Sequence, residues 1–169
     1  MRYLGVSEVN ADQLRRAHST YPVSALEIEY SLASRFIERE VLPVARELGV
    51  GVVAYGVVTQ GLLAGAMRNQ AVDAALASSF PRVQGENLQK NLKTVEFLEH
   101  MAETKGRTSA QLAVAWMLSR GDDIVALVGM SRRSHLFENL GTFDIAFSPE
   151  EQDALDKVFA PGAIAGSRS

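Results

Sequence analysis

Residues able to do chemistry gather in four short stretches of this chain. The most pointed is Gly129-Met130-Ser131-Arg132-Arg133-Ser134, where two arginines and two serines precede what reads as a helix. Free backbone N–H groups and the positive end of the helix dipole favour an anion at such a place. Guanidinium groups add fixed charge and forked donors that suit phosphate. A solvated basic turn at a helix start accounts for the same residues, and both readings stay open on the local pattern. The other stretches are Ser7-Glu8, the acidic run Glu27-Ile28-Glu29 with Tyr30, and Tyr55 leading into Gly56-Val57-Val58-Thr59-Gln60-Gly61. Tyr55 alone reads as easily as an aromatic at the edge of a core as it does a ligand platform. His18 and His100 read as helix-surface residues without metal-ligand spacing. Asp122-Asp123 reads as a turn.

What positions these stretches is an alternation of strands and helices. Strands are predicted over Arg2 to Val6, Val23 to Glu29, Val50 to Tyr55 and Ile124 to Val128. The third is almost continuously apolar, as befits a parallel strand covered on both faces. Asn10 is placed to cap the first helix. A second helix is expected from Arg35 to Leu48, with Pro43 as either a kink or the true start and Gly49 closing it. Two more follow, roughly Leu88 to Lys105 and Ser109 to Ser119. Ser134 is placed to cap a helix from His135 to Leu140. Ser148-Pro149-Glu150-Glu151 reads as a capping box with proline at the first helical position. Pro161 to Ser169 is small and polar and reads as a loose tail.

Strands separated by helices point to parallel pairing through crossovers. The fold class is therefore α/β, as one structural unit over residues 1–169 with no linker-like break. Four βα units would make a small open sheet or half of an eight-stranded barrel, and periodicity does not choose. In either case chemistry collects where the strands finish, which is where the four stretches lie.

Composition narrows the classes. The chain has 169 residues, is 47% hydrophobic and 22% charged, and carries a net charge of −3. That suits a globular domain with a real core and offers no basic footprint for nucleic acid. There is no cysteine, which excludes disulfides and thiol catalysis. No signal-peptide pattern opens the chain, and its longest apolar run, Val50 to Val58, is too short to span a bilayer. A cytoplasmic location is the expectation.

Several stretches together resemble the aldo-keto reductase family. They are RYLGVSEVNADQLRRAH, ALEIEYSLASR, EVLPVARELGVGVVAYG, GLLAG, FPRVQGEN, AQLAVAWML and GMSRRSHLFENLG. The resemblance covers essentially the whole chain and maps to the C-terminal half of that family's TIM (β/α)8 barrel, strands five to eight. Met1 would then begin the chain at a half-barrel seam, as a truncated or internally started product.

The resemblance implies an NADP(H) cofactor and carbonyl/alcohol interconversion. It places Ser7 against the nicotinamide amide, beside Glu8 where asparagine is common. Glu27 stands where the family has a glutamine; a carboxylate accepts but cannot donate. Tyr55 would stack under the nicotinamide. Gly56, Val57, Thr59, Gln60 and Gly61 belong to the loop that wraps the pyrophosphate, here without its usual arginine. Gly129, Met130, Ser131, Arg132 and Arg133 lie where the adenosine 2′-phosphate is held, which favours NADP over NAD. His135 falls where an arginine is frequent, and Glu138 and Asn139 match the pair that reads the adenine. Arg82, Glu86 and Asn87 match a loop segment to which we assign a structural role.

No complete catalytic set accompanies this cofactor half. The family's tyrosine, lysine, aspartate and histidine come from the first half of the barrel. The four lysines here, Lys90, Lys93, Lys105 and Lys157, all fall on predicted helices or their ends. The chain alone is expected to be inactive. Half a barrel would also bare two strand edges and the side chains of its interior. Another chain completing the barrel, or a homodimer, would cover them. The alternative is a non-catalytic nucleotide-binding or self-associating module. No nucleic acid or membrane partner is expected.

Overall fold

The computed structural model describes residues 2–68, 79–130 and 132–168. Four strands form one sheet in chain order: β1 (Gly5–Ser7), β2 (Ala25–Glu29), β3 (Gly51–Tyr55) and β4 (Ile124–Ala126). Every pairing is parallel, so all four strands end on one rim. Sequential order without reversal fits a TIM-barrel-like fold. A doubly wound sheet would reverse its order near the middle.

Alternation along the strands separates two faces. Leu26, Ile28, Val52, Ala54 and Ile124 point into one apolar core and are almost fully buried. Their register neighbours match: Leu26 lies beside Val52, which lies beside Ile124. The other face carries Ser7, Glu27, Val53 and Val125 in one row across the sheet, and Val125 is 61% exposed. The expectation of β3 covered on both faces is therefore corrected. Val52 and Ala54 are buried, whereas Gly51, Val53 and Tyr55 are only half-buried. The apolar run is real, but the described helices cover only one of its sides.

Those helices are α1 (Ala11–Thr20), α2 (Val41–Glu47), α3 (Gly85–Thr104), α4 (Ser109–Leu118), α5 (Arg133–Leu140) and α6 (Pro149–Val158). The expected helix over 35–48 is split: a 3-10 turn, Phe36–Glu38, precedes α2. Pro43 sits in the first turn of α2, where its missing N–H is an orphan donor in any case. Gly49 follows with φ 68°, the left-handed position that ends the helix. Capping boxes start α1 at Asn10, α4 at Thr108 and α6 at Ser148. Ser134 is not a cap, because α5 begins at Arg133, two residues before the expected His135, with Arg132 at the N-cap. Trp116 of α4 is fully buried beside Tyr30, ring centroids 5.7 Å apart, with Arg35 and Arg120 over its ring. Burying an aromatic of this size stabilises the α4–sheet contact by about 2–3 kcal/mol.

The tail is not loose. Ile164 is buried, and Asn91 of α3 both donates to and accepts from the backbone of Ala165, at 2.9 and 2.7 Å. Its anchors lie far off in the chain, which composition of the tail itself does not reveal.

Candidate active-site rim

At the C-terminal ends of β1, β2 and β3 a polar cluster is assembled from distant segments. Glu8 follows β1 with φ 52°, a left-handed conformation uncommon for a residue with a side chain. The bend turns its carboxylate across the rim. Oε1 accepts from the Glu29 amide at 3.0 Å and Oε2 accepts from Arg168, and the charge of this carboxylate acts on the nearby Tyr55 phenol. Glu29, the last residue of β2, is buried; it accepts from Ser34 and from Arg82 Nη1 at 3.3 Å. Arg82 also reaches Ser34 Oγ at 2.6 Å. The structural role expected for Arg82 includes this inward reach toward the rim.

The electrostatics follow from this crowding. Burial alone would raise the Glu8 carboxyl, but Arg168 and the Glu29 amide outweigh it and hold it below the ordinary glutamate value. Burial and the negative charges of Glu8 and Glu29 push the Tyr55 phenol upward. Burial lowers Arg82, against the opposing pull of Glu29. Tyr30, buried and bonded to Glu38 at 2.8 Å, is raised well above the usual tyrosine value.

Ser7 and Glu27 lie side by side in the β1–β2 register, exposed on the open face. The loop after Tyr55 bends sharply: Gly56, Thr59, Gln60 and Gly61 all have positive φ. A β-branched residue in this region is strained, at a cost on the order of 1–3 kcal/mol. The Thr59 side chain is 1% exposed and its hydroxyl lies 3.4 Å from Ser31 Oγ. The amides of Thr59 and Gly61 donate to Gly56 and Val58. Val57 is buried and Gln60 half-buried.

The far end of the rim is different. Gly129, Met130, Arg132 and Arg133 are exposed where β4 passes into α5, and His135 is half-buried in its first turn. Ser131 lies outside the described residues. Among the described residues neither Arg132 nor Arg133 has an ion-pair partner. Glu138 accepts from the Thr108 hydroxyl at 2.9 Å, and Asn139 lines an apolar hollow beside β4. Lys90 and Lys93 lie on α3, Lys105 at its end and Lys157 on α6, all away from the strand ends.

Comparison with known proteins decides the family. The model of the aldo/keto reductase family matches residues 1–160. The chain belongs to the aldo/keto reductase family. A probable aldo-keto reductase of Glycine max is 36% identical over 99% of this chain and 49% of its own length. The glycerol dehydrogenase of Gluconobacter oxydans superposes with a TM-score of 0.87 at 29% identity, over 98% of this chain and 51% of that one. A thermostable aldo-keto reductase crystallised with the inhibitor epalrestat gives a TM-score of 0.70 at 28% identity, over 93% and 48%. The chain thus spans about half the length of the relatives it matches.

Arg168, Asn91 and the tail were not among the sequence-derived site residues. The signal that could have pointed to the tail is Arg168, a lone charge two residues after Gly166 in an otherwise small-residue segment.

Proposed function

We propose that this chain is the cofactor-binding portion of an NADP(H)-linked carbonyl reductase, corresponding to strands five to eight of the family's barrel. The observation that carries the reading is the shared rim. Ser7, Tyr55, the Gly56–Gly61 loop and the Arg132–Arg133 turn all lie at the C-terminal ends of one all-parallel sheet. The donor set fits a dinucleotide: an aromatic face at one end and unpaired guanidinium groups at a helix start at the other. In this assignment Ser7 orients the carboxamide, and Tyr55 supports the ring. Arg132, Arg133 and Ser131 take the 2′-phosphate, while Glu138 and Asn139 face the adenine. With Thr59 turned inward, the loop's share falls to its backbone and Gln60. When bound, the nucleotide supplies the hydride. The proton for the carbonyl oxygen must come from residues outside this chain, since no lysine accompanies Tyr30 or Tyr55.

Calorimetry tests this. Micromolar binding of NADPH, weaker binding of NADH, and no NADPH oxidation with a panel of aldehydes are expected. Absence of NADPH binding, or substantial turnover by the chain alone, would refute it.

A second reading, a self-associating half-barrel, is favoured by exposed apolar groups around β4: Val125 at 61%, Phe137 at 66% and Phe143 at 74%. A second copy, or a chain supplying the missing half, would cover them. Sedimentation equilibrium distinguishes these: a concentration-dependent dimer supports the second copy, whereas a monomer counts against it.

A further inference from the structure

Arg168 comes from the last turn of the tail, 160 residues from its partner Glu8. The tail reaches the rim because Asn91 holds Ala165 at two points and Arg82 lies beside Gly166. Gly166 has φ 89°, and a Cβ there would stand 2.9 Å from the Arg82 nitrogen, so only glycine lets the segment lie so close. From that anchor the Arg168 guanidinium stacks over Phe36 at 4.6 Å and pairs with Glu8. Its Nη1 stands 3.6 Å from Glu29 Oε2 and, though buried, has no hydrogen-bond partner among the described residues.

Glu8 joins two strand ends, its own and that of β2 through the Glu29 amide, and its charge acts on the Tyr55 phenol at the end of β3, beside Glu29 in the β2–β3 register. Without Arg168, Glu8 would have no cationic partner of its own beside Glu29, which Arg82 already engages, and the repulsion between the two carboxylates would loosen this end of the rim. We propose that Arg168 is a positioning residue: it holds the Glu8 carboxylate in place against the end of β2 and beside the Tyr55 phenol at the rim. The tail is thereby part of the nicotinamide platform rather than a terminus. The platform role rests on the cofactor reading above; the Arg168–Glu8–Tyr55 linkage does not.

The test follows the carboxyl carbon of Glu8 and the hydroxyl-bearing ring carbon of Tyr55 by NMR through a pH titration, with no ligand present. Glu8, Glu29, Arg82, Arg168 and Tyr55 are the ionisable groups facing one another here. In the native chain Glu8 titrates below the ordinary glutamate range and the Tyr55 carbon shifts with it. Arg168→Met moves both midpoints upward, and Arg168→Lys restores most of the native behaviour. Gly166→Ala, which keeps the charge but lifts the strap, reproduces Arg168→Met. In the NADPH arm, Arg168→Met weakens binding by about tenfold, the equivalent of one charge-assisted hydrogen bond. Native midpoints in Arg168→Met would overturn the linkage. Altered midpoints with unchanged NADPH affinity would overturn the platform role. If the native chain binds no NADPH while Glu8 and Tyr55 titrate together, the cofactor reading fails and the linkage stands.

Discussion

At the β1–β2 end of the rim the charges are already spent on one another: Glu8 with Arg168, and Glu29 with Arg82 and Ser34. At the β4–α5 end Arg132 and Arg133 lie exposed, with no ion pair among the described residues. The same chemical groups serve opposite purposes. Paired with one another, they hold backbone and side chains in one geometry. Exposed and unpaired, they keep their field for something that arrives. The first end should therefore fail by losing structure and the second by losing affinity alone.

The sharpest break of this contrast is Glu29→Ala. It leaves Arg82, only 11% exposed at its side chain, without its buried carboxylate. The cost is expected at about 3–5 kcal/mol, read as a lower urea midpoint. Asn91→Ala comes next. Its fully buried amide ties Arg82 and Ala165 together through three hydrogen bonds. Its loss should cost about 1–3 kcal/mol and raise hydrogen exchange from residues 161 to 168. A larger effect on the β4–α5 end than on the tail would erase the distinction. The double variant Arg132→Ala/Arg133→Ala is the converse. Stability should move by under about 0.5 kcal/mol. NADPH binding should weaken about ten- to hundredfold with NADH little changed, as expected for lost charge-assisted contacts to a 2′-phosphate.

The division also tracks what was legible in the sequence. The β4–α5 turn announces itself locally, since two adjacent arginines before a helix carry their meaning within six residues. The parallel order of strands, the Asn10 and Ser148 caps and the Gly49 stop are local as well. The paired end is not. Glu8 meets Arg168 only because the tail returns, and the tail returns only because Asn91 lies 74 residues away on α3. Asn91 falls on the apolar stripe of α3 with Leu88, Val95 and Leu98, so periodicity turns it inward, but nothing local names the tail backbone as its partner. Thr59 shows the same limit from the other side. Its hydroxyl suits a loop around phosphate, yet the left-handed turn at Thr59 and Gln60 carries it into the core. Backbone conformation, not residue type, decided that.

The smallest expected effect is a pH dependence confined to the paired end. The folded chain holds Glu8 below its ordinary value, despite burial, through Arg168 and the Glu29 amide. As pH falls, the unfolded chain takes up that proton first, so folding loses ground. The stabilisation is complete above the unfolded glutamate value and vanishes as pH drops through the lower folded one. Urea midpoints measured between about pH 3 and 6 should therefore fall less steeply in Arg168→Met than in the native chain. Glu47 and Asp123, lowered by Arg15 and Arg46, contribute slopes of the same sign elsewhere, so only the difference between the two proteins reports on the rim. Arg132→Ala/Arg133→Ala should leave that slope unchanged, because among the described residues neither arginine is paired with a carboxylate whose proton it could move.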